Sequence, residues 1–347
     1  MAENRPPPPA LAVMKVIFDH PHAFCIAHGG FATQIEQAKL ALEKLGVNVE
    51  YMRWWELEQP ADIIHYHGRP WTQYIVRGQQ KGYKMVMTDL LTGLGARPRP
   101  ARMLQKGVQL AAQAVMGDGM LIRLSWDCYK QADACIAGTP WERQLMIEMF
   151  NAPPERVHCI PNGVEDVFLE KRPPAPRGPW LVSTATLTER KRVLELAQAA
   201  VAAQTPVWII GRPYAESDPY AQAFLKFARQ HSDIVRYEGG ISDRAKLAEA
   251  YRSARGFVLL SAMESLSLSA LEAAACGCPL LLSDLPWARC TFEKNATYCP
   301  IASKSRVAGV LRKFYDAAPS LPVPPRPASW LEIGAQHQKL YQALLRT

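Results

Sequence analysis

No stretch of this sequence approaches the ~18–20 consecutive apolar residues that cross a bilayer, so a membrane-spanning helix is not expected. The N-terminus, Met1 to Arg5 and then Pro6 to Pro9, has no apolar signal core. Residues 1–12 read as a short flexible leader. Cysteine is sparse: Cys25, Cys128, Cys135, Cys159, Cys276, Cys278, Cys290 and Cys299, with no Cys-x-x-Cys pair among them. So few, scattered thiols in a long chain exclude a disulfide-stapled scaffold and point to a reducing, cytoplasmic setting. Histidines recur at His20, His22, His28, His65 and His67, yet no cysteine or carboxylate completes a ligand spacing, and no metal is expected. The charge excess is mild, 40 Lys+Arg against 32 Asp+Glu. It suits an anionic partner without selecting one. No recognition motif makes nucleic acid an expected partner.

What is present is globular. Hydrophobic residues make up 48% and charged residues 21% of 347, enough for two ordinary domains. Val13 to Phe18 reads as a buried strand. After Gly29 and Gly30, the residues Phe31, Ile35, Ala38, Leu42 and Leu45 fall at helical spacing, and Gly46 ends the run. Val47 to Met52, Asp62 to Tyr66 and Lys84 to Thr88 read as further strands. The alternation returns after residue 178, with strands at Leu181 to Thr184, Val207 to Ile210, Ile234 to Tyr237, Gly256 to Leu260 and Pro279 to Ser283. Helical patterns separate them at Val193 to Ala203, Tyr220 to Gln230 and Arg244 to Ala254. A proline-rich linker lies at Lys171 to Pro179, and a last helix runs from Ser329 to about Leu345. Strands alternating with helices predict two doubly wound parallel-sheet α/β domains. Their ligand site is expected at the carboxyl ends of the strands, in the cleft between the domains.

A motif then stands out. Glu264 and Glu272, eight positions apart, flank Ser265-Leu266-Ser267-Leu268-Ser269-Ala270-Leu271. They follow an apolar strand and precede Gly277-Cys278-Pro279. This E-x7-E segment resembles the donor-binding segment of retaining glycosyltransferases of family 4, which have the two-Rossmann-domain GT-B architecture. Further segments agree in order: His28-Gly29-Gly30, Thr139-Pro140-Trp141-Glu142, Ile160-Pro161-Asn162-Gly163, Thr186 to Lys191 and Tyr237 to Ile241. The resemblance covers residues 13 to 347. It implies an N-terminal acceptor-side domain (13–165), a donor domain (166–327) and a C-terminal helix (328–347) crossing back to the first domain.

The resemblance also implies roles. Glu264 holds the sugar hydroxyls. Arg190 and Lys191 neutralise the departing diphosphate, a transition-state charge effect. Asp89 stands where many relatives carry a cleft histidine, and could contact sugar or acceptor or cap a turn. Glu272 would accept from the ribose hydroxyls, although Ser269-x-x-Glu272 also has the form of a capping box worth ~1 kcal/mol. Ser265, Leu266, Ser267 and Leu268 open a helix whose free amides suit phosphate. Gly29, Gly30, His67, Gly211 and Ile241 complete the expected binding set. An upstream arginine common in the family is replaced by Ser183-Thr184-Ala185-Thr186.

The implied activity is retaining, metal-independent and cofactor-free transfer of a sugar from a nucleotide-diphosphate sugar, UDP or GDP first, to a glycan or lipid-linked acceptor. The absence of an Asp-x-Asp motif fits charge neutralisation by protein cations. A catalytically impaired sugar-nucleotide-binding protein, or a sucrose- or trehalose-type synthase, is the competing reading. The apolar segment Ala101 to Lys130, with Arg97, Arg99, Arg102, Lys106 and Arg123, reads as a buried helix with a basic loop, or else as a peripheral contact with anionic membrane.

Overall fold

The computed structural model describes residues 14–21, 24, 29–116, 125–172 and 176–346. The leader at 1–12, His22, His28, Arg123 and the linker residues 173–175 lie outside the described residues.

Six short strands form the first sheet: β1 (Lys15–Asp19), β2 (Asn48–Tyr51), β3 (Ile63–His67), β4 (Lys84–Thr88), β5 (Ala134–Ala137) and β6 (Val157–Cys159). Their order is β2-β1-β3-β4-β5-β6, and the pairings are parallel. A second parallel sheet has β7 (Leu181–Thr184), β8 (Val207–Ile210), β9 (Val235–Tyr237), β10 (Gly256–Leu259), β11 (Leu280–Ser283) and β12 (Thr297–Cys299). Its order is β12-β11-β10-β7-β8-β9. Helices cover both faces, so runs such as Phe257-Val258-Leu259 are apolar throughout rather than alternating. Each sheet reverses direction beside its first strand, between β1 and β3 and between β7 and β10. At such a switch point the loops diverge and leave a crevice at the carboxyl ends of the strands.

Three strands escape the sequence reading. β5, β6 and β12 have three or four residues each and lack a continuous run of large apolar side chains. The helix Lys304–Ala317 was also not expected.

The helix Trp330–Leu344 opens on a reciprocal cap. Ser329 Oγ accepts from the Glu332 amide at 3.2 Å, and Glu332 Oε2 accepts from the Ser329 amide at 2.6 Å. The helix packs on the helix Gly30–Lys44 of the first domain, where Ile333, Leu340 and Tyr341 join its core. Gly334 permits the approach, because a Cβ there would lie 2.8 Å from that of Ala41.

The helix Arg99–Met116 corrects the expectation of a buried apolar helix. Several of its polar side chains face the protein: Gln109 is buried, Lys106 Nζ donates to Met149 O at 3.1 Å and to Asn151 Oδ1 at 2.9 Å, and Arg102 lies over Trp141. Met103, Leu104, Val108 and Val115 face outward. No helix among the described residues is long and apolar enough to cross a membrane.

Candidate active site

The loop leaving β7 tightens into a 3-10 turn over Glu189–Lys191. The loop leaving β10 carries Glu264 and leads into the helix Leu268–Ala275. A backbone hydrogen bond from Ala262 to Arg190 O, 2.8 Å, stitches the two loops together at the switch point. Three charges meet there. Lys191 Nζ pairs with Glu264 Oε1, and Arg190 Nη1 lies 3.3 Å from the same oxygen and donates to Met263 O at 3.1 Å. Glu264 is only 8% exposed. Two cations on one carboxylate leave a net positive charge, which a diphosphate would complement.

The Ser269-x-x-Glu272 capping box is not formed. Ser267 is the cap, accepting from the Ala270 amide at 3.3 Å. The helix starts two residues earlier than that box requires. The amides of Leu268 and Ser269, in the first turn, have no partner within the helix. Opposite stands the start of the helix Gly30–Lys44, capped by Gly29. At φ +140° Gly29 has a backbone that side chains rarely allow. A Cβ on Gly30 would lie 3.6 Å from Leu268 Cδ1, and one on Gly29 would lie 3.5 Å from the Tyr214 hydroxyl. The starts of these two helices thus lie close together, and the dipole at each favours an anion beside it.

Glu272, one turn into its helix, is buried, and burial raises its carboxyl while Arg244 opposes the rise. Arg244 pairs with Glu272 Oε1 and, at 2.7 Å, with Glu165, and the Tyr251 hydroxyl donates to Oε2 at 3.2 Å. Each carboxylate oxygen keeps further acceptor capacity. Gly211 ends β8 with Ala185 pressed against it, since a Cβ there would sit 1.8 Å from Ala185 O. Its amide donates to Gly239 O at 3.1 Å, tying it to the loop that carries Ile241. Ile241 packs partly buried against the second core.

The family model described as Glycosyltransferase Family 4 matches residues 41–167, and the one described as Glycosyl transferases group 1 matches residues 178–315. Both domains carry the family 4 glycosyltransferase pattern. A D-inositol 3-phosphate glycosyltransferase of Frankia alni is 30% identical over 166 residues, 42% of this chain and 40% of that one. Another, of Jonesia denitrificans, is 30% identical over 183 residues, 45% of this chain and 42% of that one. The chain spans about two fifths of the length of these curated relatives. Among solved structures, the sucrose-phosphate synthase of Thermosynechococcus elongatus has a TM-score of 0.67 at 18% identity, covering 96% of this chain and 99% of its own. Anabaena HepE in complex with UDP has a TM-score of 0.68 at 14% identity, covering 95% and 100%. At these identities the likeness is one of fold.

Within this family 4 frame, two expected residues sit apart from the charge cluster. Asp89, at the carboxyl end of β4, is held by the first domain: its Oδ2 accepts from the Tyr129 hydroxyl and from Arg69 Nη2 at 3.2 Å. The Arg69 guanidinium also lies over the Tyr129 and Phe150 rings. His67 is buried rather than exposed on the cleft wall. It is 2% exposed, stacked on His65 at 4.1 Å and edge-on to Phe18 at 4.6 Å. Burial and the neighbouring His337 and His20 hold its ring well below the ordinary imidazole range. The odd positions of β3 face the helix side of the sheet, which puts His65 and His67 against the crossing helix. His65 Nδ1 is 2.7 Å from the Tyr341 hydroxyl.

Several residues of the site were not read from the sequence. Arg244, the partner of Glu272, comes from a helix with no motif of its own. Arg212 lines Gly240 at the end of β8, and its signal was there, a Gly211-Arg212 pair directly after a strand. Trp54 and Trp55 after β2 and Trp71 after β3 stand exposed on the rim of the first domain.

Proposed function

We propose that this chain is a retaining, metal-independent glycosyltransferase that takes a sugar from a nucleotide-diphosphate donor, UDP or GDP first, and gives it to a glycan or lipid-linked acceptor. The observation that carries the reading is the convergence of Lys191 and Arg190 on Glu264 beside the start of the helix Leu268–Ala275. The UDP held by HepE supports the donor class, and the glycosyltransferases among the relatives support the reaction class.

In this reading the diphosphate lies beside the two helix N-termini, with Arg190 and Lys191 on its oxygens. Glu264 is then released from its cations towards the sugar hydroxyls. The bond from the anomeric carbon to the diphosphate oxygen breaks, and the acceptor oxygen bonds to that carbon on the same face. The acceptor's proton passes to the departing diphosphate oxygen. Cation charge placed where negative charge develops lowers the barrier. Glu272 would take the ribose hydroxyls. Trp54, Trp55 and Trp71 offer apolar ring faces to acceptor sugars.

A panel of UDP-, GDP-, ADP- and dTDP-glucose tests the donor assignment. One of them is expected to raise the melting temperature and to release nucleotide slowly without acceptor. Binding to none of them overturns the reading. Binding without release or transfer with any offered acceptor favours a sugar-nucleotide-binding protein.

For a lipid-linked acceptor, the outward stripe Met103, Leu104, Val108 and Val115, beside exposed Arg97 and Arg99, would rest on an anionic bilayer. The chain is expected to co-sediment with phosphatidylglycerol vesicles. Leu104→Gln with Val108→Gln should weaken this about tenfold, and no sedimentation of the wild type removes the membrane assignment.

A further inference from the structure

Glu142 is an acid that the transfer scheme leaves unused, and it lies where the two domains meet. It is the third residue of the helix Pro140–Phe150, whose cap Thr139 accepts from the Glu142 amide at 3.2 Å. A glutamate at this position commonly lies at the surface. This one is 1% exposed, with its carboxylate turned inward.

Three segments surround that carboxylate. From the loop after β4, the Leu91 amide donates to Oε1 at 2.8 Å. From the segment after β5, the Thr139 hydroxyl donates to Oε2 at 3.5 Å, and the Gly138 amide beside it also favours the ionised carboxyl. From the donor domain comes Ser265, the residue after Glu264, close enough for its hydroxyl to favour the ionised carboxyl. That hydroxyl is buried and has no hydrogen-bond partner among the described residues, which leaves it free to turn to the carboxylate. The domains touch closely at this point, since a Cβ on Gly138 would lie 3.3 Å from Glu142 Oε2 and 3.8 Å from Leu266 Cβ.

We infer that Glu142 is a positioning residue for sugar transfer, its carboxylate holding the Asp89–Leu91 loop of the first domain in register with Ser265 of the donor motif. The inference rests on the glycosyltransferase reading above. Its chemistry is one-sided: the Leu91 amide and the Thr139 hydroxyl donate to the carboxylate, and the unpartnered Ser265 hydroxyl can do so. An ionised carboxylate accepts from all of them, whereas a carboxylic acid brings a proton and loses acceptor capacity.

The ionisation is poised. Burial pushes the Glu142 carboxyl up to about 7, with the bonds from Ser265 and Leu91 opposing and the Asp89 charge adding to the rise. Asp89 is itself paired with Arg69. The Cys159 thiol at the end of β6 and, from the donor domain, the Cys290 thiol beside Thr139 and Trp141 are further titratable groups near it, and burial raises both. Register between acceptor loop and donor motif is therefore held above neutrality and released below it.

The test uses the full chain and whichever of UDP-, GDP-, ADP- or dTDP-glucose the wild type turns over fastest. Nucleotide release is followed from about pH 5.5 to about pH 8.5 in wild type, Glu142→Gln, Ser265→Ala and the double variant. Wild-type kcat/KM is expected to rise through a step near neutrality. Glu142→Gln should lose that step and fall about tenfold at the alkaline end, with nucleotide affinity changed less than about twofold. Because the two residues act through one contact, the double variant should be no worse than the worse single variant. Additive losses, or a Glu142→Gln profile that superimposes on the wild type, overturn the inference. Should Glu142→Gln fail to fold, Ser265→Ala carries the test: cutting the link must abolish the step, and its persistence overturns the inference. Failure of the wild type to turn over any of the donors counts instead against the function reading.

Discussion

Glu264→Gln is expected to lower sugar transfer about 100-fold while leaving nucleotide-diphosphate binding unchanged or tighter. The substitution keeps the size of the side chain and removes the charge that Lys191 and Arg190 share. In the free protein this leaves Lys191, whose side chain is 13% exposed, as a nearly buried cation without its partner. Breaking such a pair is strongly destabilising, so the variant should melt at a lower temperature than the wild type. A nucleotide diphosphate supplies the missing negative charge, so it should raise the melting temperature of the variant more than that of the wild type. The combination of lost transfer and enhanced rescue separates a role at the sugar from a general loss of folding. Transfer that survives unchanged, measured with the donor that the wild type uses, removes the assignment of Glu264.

Gly211→Ala is expected to destabilise the second domain by about 3 kcal/mol or more, lowering its melting temperature by about 10 °C. The added methyl would meet a main-chain oxygen, that of Ala185, at 1.8 Å. Main chain cannot swing away as a side chain can, and here it belongs to the first residue after β7, hydrogen-bonded from its amide to Ile210 O at 3.0 Å. Relief requires β7 and β8 to separate beside the diphosphate loop. Differential calorimetry reads the effect. A melting temperature within about 2 °C of the wild type would show that the ends of the two strands yield more easily than their hydrogen bonds imply. Gly211 entered as an expected binding residue, and the structure gives it a structural task first.

The sheets were legible because each long strand carries a continuous apolar run bounded by turn residues: β4, β7 and β8 begin and end where the sequence reading places them. β5, β6 and β12 were not, since Ala-Cys-Ile-Ala, Val-His-Cys and Thr-Tyr-Cys lack the continuous run of large apolar side chains that marks β8 and β10. Glu264, Arg190 and Lys191 were legible through a motif and a resemblance, and the fold brings all three to one switch point. Arg244 and Tyr251 were hidden because they lie 28 and 21 positions from the Glu272 that they contact. The helix Arg99–Met116 misled for a different reason. Its composition is that of a buried helix, but composition does not tell which stripe meets the protein.

The sequence by itself determined the two α/β domains, the order of most elements and the acidic and basic residues of the donor motif, because periodicity and local chemistry are properties of neighbours in the chain. Tertiary structure alone decided which charges pair, that His67 is buried, that Ser267 rather than Ser269 caps the donor helix, and that Glu142 is buried where the two domains meet. Those outcomes depend on packing between segments far apart in sequence, where burial sets the cost of each unpaired polar group and so fixes its partner.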